Sequence, residues 1–170
     1  MNDDSPQSVE AGRSVWAALR ILVGSIFLWS FFDKLFGLGF NTAADASWLA
    51  GVSPTFGFLK FATKGPLGSL YQGMAGSALV DWLFMLGLLC VGVALLFGIF
   101  VKIASGAGMA MLAMMYTAGF MPPAHNPVID EHIIYITILI GLASTGSGRC
   151  FGLGDKWSST ALVRKFPMLE

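Results

Sequence analysis

Four long apolar stretches fill most of the chain, and the charged residues collect at their ends. The stretches cover residues 15–32, 82–101, 103–121 and 133–145. With their flanking residues, each approaches the roughly 20 residues that a helix needs to cross a bilayer. Backbone polar groups in lipid need partners within the protein, so these stretches are predicted to be helices. The pattern predicts an all-α membrane protein, a bundle of four transmembrane helices.

The ends of the helices carry local signals. Gly37 is a suitable C-cap for the first helix. Lys102 alone interrupts the apolar residues of the second and third stretches, so a tight turn is expected at roughly 102–106. Asn126 as N-cap and Pro127 as first helical residue predict the start of the fourth helix. The predicted spans are about 14–36, 81–101, 103–121 and 127–148, with an outer loop at 38–79 and a tail at 149–170.

The composition agrees with a membrane protein and excludes other classes. Of the 170 residues, 55% are hydrophobic and 12% are charged, whereas a soluble domain carries about 25% charged residues. The mean hydropathy is +0.72. Ten Lys and Arg balance ten Asp and Glu, so no basic surface suggests a nucleic-acid partner. The chain has room for one domain, and the lipid bilayer is its expected environment.

Basic residues are distributed unequally between the two sides of the predicted membrane protein. Seven lie on the side of both termini and three on the other side. The seven are Arg13, Arg20, Lys102, Arg149, Lys156, Arg164 and Lys165, and the three are Lys34, Lys60 and Lys64. Because basic residues are retained on the cytoplasmic side, both termini are expected in the cytoplasm, with the chain in the inner membrane.

The outer loop is not a plain hydrophilic linker. Aromatic and aliphatic residues interrupt it regularly, and Ser53-Pro54 and Gly65-Pro66 mark breaks within it. Two short helices lying across the outer mouth of the bundle, partly in the membrane interface, are expected. A loop of this length with its own structure is commonly functional.

Candidate chemistry gathers at the outer end of the predicted bundle. The helix ends there carry Asp33, Lys34, Asp81, Asp130, Glu131 and His132, with His125 in the preceding loop. A charge at the bilayer centre costs at least about 2.5–3.5 kcal/mol, so such residues are expected to face inward and pair. Lys34 with Asp130 or Glu131 is the preferred pair. The simpler interpretation, in which these residues only mark where helices meet water, stays open.

Two histidines beside carboxylates suit proton exchange near neutral pH. The candidate catalytic residues are His132, Asp130 and Glu131, which would pass protons to a bound quinone, the expected electron acceptor. His132 and Tyr135 lie three residues apart on one helical face and could hold a quinone head group. Anchoring at the membrane boundary explains this pair equally well. His125 is a further candidate for binding.

Arg20 is a cation within the first apolar stretch. It lies fourteen residues before Lys34, within about 40° of the same helical face and roughly 21 Å away along the axis. Both cations are candidate substrate-binding residues. Arg20 either extends to the interface, as long basic side chains do, or points inward to an anion, a carbonyl group or a partner subunit.

The remaining sequence features carry little chemistry. The third stretch is crowded by Met109, Met111, Met114, Met115 and Met121, and flexible packing explains them better than a copper(I) site. Cys90 and Cys150 form no CxxC or zinc-type pair. The sequence carries no recognisable haem, flavin, iron–sulfur or nucleotide motif. No metal is therefore expected, and electron transfer would need direct contact or a partner subunit.

Three segments together resemble a known family. They are RILVGSIFLWSFFDKLFG from Arg20, SWLAGVSPTFGFLKFATKGPLGSLY from Ser47 and NPVIDEHIIYITILIGLASTGSGRCFGLGDKW from Asn126. Their order and spacing resemble the DoxX/DoxD family of small four-helix bacterial and archaeal membrane proteins. The resemblance implies a prokaryotic protein and, for the DoxD-like branch, the large subunit of a thiosulfate:quinone oxidoreductase. It brings no catalytic residues.

Two functions follow as expectations. The favoured one is a subunit of a quinone-linked oxidoreductase that works with a second subunit or redox partner. The alternative is a non-enzymatic membrane scaffold that anchors redox or oxidative-stress enzymes. A homo-oligomer is compatible with both. A solute carrier is disfavoured because the spans show no paired broken helices and no inverted repeat.

Overall fold

The computed structural model describes residues 6–119, 126 and 128–169, with side chains from Glu10 onward. The α-helices are α1 Pro6–Phe36, α2 Gly68–Gly73, α3 Ala78–Phe97, α4 Val101–Ala118, α5 Glu131–Ser144, α6 Gly154–Ser158 and α7 Ala161–Lys165. Single turns of 3₁₀- or π-helix lie at Ala44–Ala46, Trp48–Ala50, Phe58–Ala62, Ser147–Arg149 and Pro167–Leu169. No β-strand occurs in the described part of the chain, so the predicted all-α class is confirmed.

The long helices pack around one apolar core. α1 lies mainly against α3, α4 lies against α3 and α5, and α5 returns to α1, which closes the group. Met85, Leu95, Leu139 and Leu142 are fully buried at its centre. The apolar residues of these helices therefore divide into an inward set that packs together and an outward set that stays exposed.

α1 and α3 cross at two glycines. A Cβ atom added at Gly92 would lie 2.7 Å from the backbone nitrogen of Leu28, and one added at Gly24 would lie 2.8 Å from that of Leu96. The two backbones approach too closely for any larger residue. Small residues at such crossings are how membrane helices associate, because lipid supplies no hydrophobic force between them.

Within the described ranges, three helices are long and apolar enough to cross a membrane. They are Glu10–Phe36 within α1, with 27 residues, α3 with 20 and α4 with 18. The protein is therefore a multi-pass membrane protein. α5 is apolar but has only 14 residues, a length of about 21 Å, which is less than the roughly 30 Å of a hydrocarbon core.

The connection between α3 and α4 lies earlier than the sequence predicted. α3 ends at Phe97, Gly98 adopts a left-handed conformation with φ 71°, and α4 begins at Val101. Lys102 therefore lies in the first turn of α4 and not in the connection. α3 ends where Gly98 adopts the left-handed conformation, for which glycine has no steric penalty. Lys102 lies near this connection but does not determine it.

α5 begins later than the sequence predicted. Asp130 is its N-cap, and the Oδ1 atom accepts hydrogen bonds from the amides of His132 and Ile133 at 3.0 and 3.3 Å. Asn126, the expected N-cap, accepts hydrogen bonds from the amides two and three residues further on, at 3.0 and 2.9 Å. It closes a separate turn before the helix. Pro127 lies outside the described residues.

The bundle has two chemically different ends. The loop end holds the last turns of α1 and α4, the first turns of α3 and α5, and the loop of residues 38–77. The tail end holds the first half of α1, the α3–α4 connection, the end of α5 and the residues after 144. Of the candidate residues that the structure describes, all except Arg20 belong to the loop end.

Candidate functional site

A buried carboxylate fastens the loop to α3. Asp81 lies in the first turn of α3 and is 7% exposed. Its Oδ1 atom accepts hydrogen bonds from the hydroxyl groups of Ser53, at 2.8 Å, and Thr55. The start of the helix also favours a negative charge. The sequence marked Asp81 as part of a charged ring, but its hydroxyl partners, 26 and 28 residues earlier, carry no local sequence signal.

The loop is tied to the other helices as well. Asp33, near the end of α1, accepts hydrogen bonds from the amides of Phe40 and Asn41 at 3.2 and 3.0 Å. The hydroxyl group of Tyr71 in α2 bonds to that of Thr117 in α4 at 2.7 Å. The short helical segments of the loop, between Ala44 and Gly73, thereby cover the gap between α3 and α4. We call these segments the roof. Asp33 and Asp81 act as structural acceptors within this roof.

Asp130 and His132 form a hydrogen-bonded pair at the start of α5. The distance between Asp130 Oδ2 and His132 Nδ1 is 2.9 Å, and the two side chains are 19% and 18% exposed. Burial raises the pKa of Asp130, but hydrogen bonds from the His132 ring and from the amides of Ile133 and His132 outweigh it and hold that pKa below the ordinary value. The carboxylate is therefore an acceptor at neutral pH.

The Asp130 carboxylate also fixes the tautomer of its partner. A carboxylate can only accept a hydrogen bond, so the neutral imidazole of His132 carries its proton on Nδ1. Its other ring nitrogen, Nε2, has no hydrogen-bond partner among the described residues. The pair can therefore exchange a proton with water or with a ligand through Nε2.

Glu131 lies next to this pair, and ligand atoms of all three side chains fall within 4.8 Å of one another. Three such groups could in principle hold a cation. The Asp130 oxygens, however, already accept hydrogen bonds from one ring nitrogen and two amides. Glu131 is exposed. This arrangement is accounted for by helix capping, and it gives no reason to assign a metal.

Tyr135 follows the pair by one helical turn. It is partly buried and packs against the core, on the helical face that it shares with His132. The structure thus brings together Asp130, His132 and Tyr135. His125, the other candidate histidine, lies outside the described residues.

Lys34 does not form the predicted ion pair with Asp130 or Glu131 in the part of the chain that the structure describes. Its Nζ atom instead lies 5.9 Å from the centre of the Phe84 ring on α3. The side chain extends to the side of the bundle formed by α3 and α4, whereas Asp130 is engaged with the amides of its own helix. Lys34 therefore contacts α3, whereas Asp130 contacts its own helix, so the two residues do not form one charged ring.

Lys34 contributes the polar atom of an apolar cavity. The cavity has a volume of about 270 Å³ and is covered by the roof at the loop end. It is lined by Lys34, Pro54, Thr55, Phe58, Leu59, Tyr71, Met74, Val80, Leu83, Phe84, Met111, Met114, Met115 and Ala118. No residue of α5 belongs to this lining, so the cavity and the Asp130–His132 pair are separate sites.

Three of the α4 methionines are cavity residues, which the sequence did not reveal. Met111, Met114 and Met115 line the same cavity as Lys34. Flexible packing was the expected role, and thioether side chains do adapt their shape readily. Their helical spacing indicated a shared face of α4, but the empty space beside that face depends on the loop that covers it.

Arg20 lies at the tail end and is fully buried. Its Nη1 atom donates hydrogen bonds to the carbonyl oxygens of Leu95 and Leu96, the latter at 3.0 Å. Its Nη2 atom donates to the carbonyl oxygens of Cys150 and Phe151 at 3.1 and 3.0 Å. This is the inward orientation toward carbonyl groups that the sequence left open. No described contact links Arg20 to the residues of the loop end.

No protein-family model matches the chain, and no curated protein or solved structure matches it either. The fold defines a class, an all-helical multi-pass membrane protein with two separable candidate sites at its loop end. The DoxX/DoxD resemblance remains a resemblance of sequence segments.

Proposed function

We propose that the protein is a membrane subunit of a quinone-linked oxidoreductase, with Asp130 and His132 as its proton-exchange pair. The observation that carries the proposal is the 2.9 Å hydrogen bond between the two side chains at the start of an apolar helix. Asp130 orients the imidazole and holds its Nδ1 proton, which leaves Nε2 to give or take one. Partial exposure lets the ring meet both water and a ligand.

Quinone reduction needs protons as well as electrons. A quinone takes up two electrons and two protons to become a quinol, and an imidazole with one ring nitrogen open to a ligand is suited to pass protons from water. Tyr135 lies one turn further along α5, where a hydroxyl group can donate a hydrogen bond to a quinone carbonyl oxygen. The electrons come from the donor directly or through a partner subunit.

In this proposal α5 is the fourth membrane span. Its 14 residues reach about 21 Å, so its first turn lies near the edge of a hydrocarbon core about 30 Å thick. A quinone head group at that depth is within reach of water. The short span therefore supports placing the proton-exchange pair at the membrane boundary.

We further propose that both termini lie in the cytoplasm of a prokaryotic cell, with the loop end outside. The support is the excess of basic residues at the tail end, among them Arg13, Lys102 and Arg149. Exposed apolar side chains of the tail, such as Leu162 and Phe166, lie close in sequence to basic residues. Such a segment suits the inner membrane surface.

Thiosulfate is the electron donor that the DoxD-like resemblance suggests. Oxidation of two thiosulfate ions to tetrathionate releases two electrons, which is the number that one quinone requires. Lys60 and Lys64 are exposed on the loop and give an approaching dianion a positive surface. This choice of donor rests on the resemblance and on these charges.

The test uses the full chain, purified in mild detergent with any chains that copurify, and assays thiosulfate-dependent quinone reduction and bound quinone. We expect the Asp130→Asn, His132→Ala double variant to reduce turnover by about 100-fold, a usual contribution of acid–base catalysis. Asp45→Asn, at an exposed loop carboxylate, is the matched control and keeps full turnover. Unchanged turnover in a folded double variant would remove the proposed site.

A scaffold that anchors redox or oxidative-stress enzymes is the second candidate. It is favoured by three apolar side chains of the loop, Phe40, Leu49 and Phe61, which are 72%, 68% and 74% exposed. Exposed apolar groups at this density mark a contact with another protein or with lipid. In this case deleting the protein releases a recruited enzyme from the membrane, and the purified chain reduces no quinone with or without copurifying partners.

A further inference from the structure

The cavity under the roof contains one charge. Of its fourteen lining residues, only Lys34 is ionisable as a cation or an anion at neutral pH. The neighbouring carboxylate, Asp33, accepts hydrogen bonds from two loop amides. The ring of Phe84, 5.9 Å from Nζ, offers a weak cation–π contact, worth about 0.5–1 kcal/mol at an exposed site. Among the described residues no carboxylate forms an ion pair with this ammonium group, and Asp33 attracts its charge only from beyond ion-pair distance. A charge in such apolar surroundings is poorly compensated.

The other polar groups of the lining already have partners. The hydroxyl group of Thr55 donates to Asp81, and that of Tyr71 is bonded to Thr117. The rest of the wall consists of aliphatic, aromatic and thioether side chains. A ligand that fits this cavity therefore has one acceptor-rich, negatively charged head for Lys34 and an apolar remainder.

The cavity opens to the side of the bundle. Leu83 on α3 and Met114 on α4 line it, yet these side chains are 63% and 52% exposed. Both residues lie within candidate membrane spans, so the surface around the opening faces acyl chains. A ligand enters from the membrane, and a tail longer than the cavity can lie in the groove between the two helices.

We propose that this cavity binds a free acyl chain with a carboxylate head, with Lys34 as its counter-ion and the α4 methionines around its first methylene groups. The carboxylate accepts charge-assisted hydrogen bonds from Nζ. The methionine side chains adjust to chains of different shape. A volume of about 270 Å³ accommodates the head and first part of one chain, which favours a single-chain acid over a two-chain phospholipid.

This site is independent of the proposed quinone site. It lies against α1, α3 and α4, whereas Asp130 and His132 belong to the start of α5. A neutral quinone would also leave the Lys34 charge without a counter-ion. Loss of quinone reduction in the Asp130 and His132 variants therefore has no bearing on acyl-chain binding.

The test measures saturable crosslinking of a long-chain fatty acid that carries a photoreactive diazirine on its tail, using the full chain in lipid nanodiscs. We expect crosslinks on α3 and α4 peptides around Leu83 and Met114. Lys34→Met should weaken binding by about tenfold or more, because a charged hydrogen bond is lost. Lys34→Arg keeps the charge and retains binding. Lys156→Met, at an exposed lysine of α6 that does not line the cavity, is the control and has no effect.

Two further comparisons make the result decisive. The methyl ester of the same fatty acid, which has no charge, should bind wild type and Lys34→Met equally weakly. Met114→Trp keeps Lys34 but fills the opening, and it should abolish saturable crosslinking even if Lys34→Met fails to fold. The proposal is overturned if the ester binds as tightly as the acid, or if a folded Lys34→Met or Met114→Trp binds normally.

Competition identifies the natural source of the ligand. Equimolar phosphatidylglycerol or a short-chain quinone should leave the crosslinking of the acid unchanged. Displacement by phosphatidylglycerol would assign the cavity to a phospholipid, and displacement by the quinone would assign it to the redox site. Either displacement contradicts the proposal of a free acyl-chain acid.

Discussion

Two of the cations on α1, Arg20 toward the tail end of the bundle and Lys34 at the loop end, have opposite surroundings. Arg20 is completely buried, and its two terminal nitrogens donate to four carbonyl oxygens. Lys34 is half-buried beside an aromatic ring and lines an apolar cavity. The backbone carbonyl dipoles compensate the charge of Arg20. The ammonium group of Lys34 remains available to bind an anionic ligand.

The difference between the two cations distinguishes a structural charge from a ligand-binding one. A charge taken out of water stabilises a fold only where its partners are fixed in place. Arg20 meets that condition, since it joins the end of α3 to the residues after α5. Lys34 does not, and it lines a cavity of about 270 Å³. Burial alone would have ranked Arg20 as the better functional candidate.

Removing the guanidinium has the largest predicted effect. Arg20→Met removes the guanidinium donors from four carbonyl oxygens, although the Leu95 oxygen keeps the amide of Gly98 at 3.2 Å. We expect a loss of about 3–5 kcal/mol of stability, measured as a lower thermal unfolding midpoint in detergent. Lys34→Met should instead leave stability unchanged or raise it by up to about 1 kcal/mol. Equal losses in the two variants would contradict the comparison.

Loosening the roof has an intermediate effect that is confined to the loop end. Asp81→Ala leaves the hydroxyl groups of Ser53 and Thr55 without an acceptor, which costs about 1–3 kcal/mol and exposes the loop to limited proteolysis. Both hydroxyl groups bond to the same oxygen, Oδ1. Asp81→Asn preserves that oxygen and should therefore protect the loop better than Asp81→Ala, with Asp45→Ala as the inert control. Equal cleavage of both Asp81 variants would show that this oxygen does not hold the roof.

The smallest effect concerns the acid titration of Asp130. Its pKa is lowered in the folded protein, so its contribution to stability is present above the unfolded-state pKa and is lost as the pH falls through the folded-state pKa. Asp130→Asn keeps an N-cap acceptor but has no carboxyl group to titrate, so its unfolding midpoint should fall less than that of wild type as the pH is lowered. Unfolding midpoints measured from neutral to acid pH check it. Parallel curves for wild type and variant would argue against a stabilising Asp130.

The helices themselves could be predicted because their signals are local. Apolar length and Gly37, which adopts φ 69°, correctly mark the end of α1. The turn between α3 and α4 was misplaced because Lys102 is a more visible signal than Gly98 in an apolar run. The start of α5 was misplaced because Asn126 and Asp130 are both good N-caps, and only the amides that each one contacts distinguish them.

The sites were less predictable because they depend on contacts between distant segments. Asp130 and His132 are two residues apart, so their pairing follows from the sequence. The cavity needs a loop residue such as Thr55, a helix such as α4 and the side chain of Lys34 to meet. No periodicity in the sequence indicates that these three parts of the chain come into contact. The same holds for Arg20, whose carbonyl partners can be counted only after the helices are packed.

The contacts of Arg20 also order events during synthesis. Its carbonyl partners are 75 and 130 residues further along the chain. At a translation rate of 5–20 residues per second, the later partner emerges roughly 10 s after α1. During that interval the guanidinium group of Arg20 can be solvated only by lipid head groups or water. α1 therefore enters the membrane before its tail-end contacts exist, and the bundle closes there only after Cys150 and Phe151 have been synthesised.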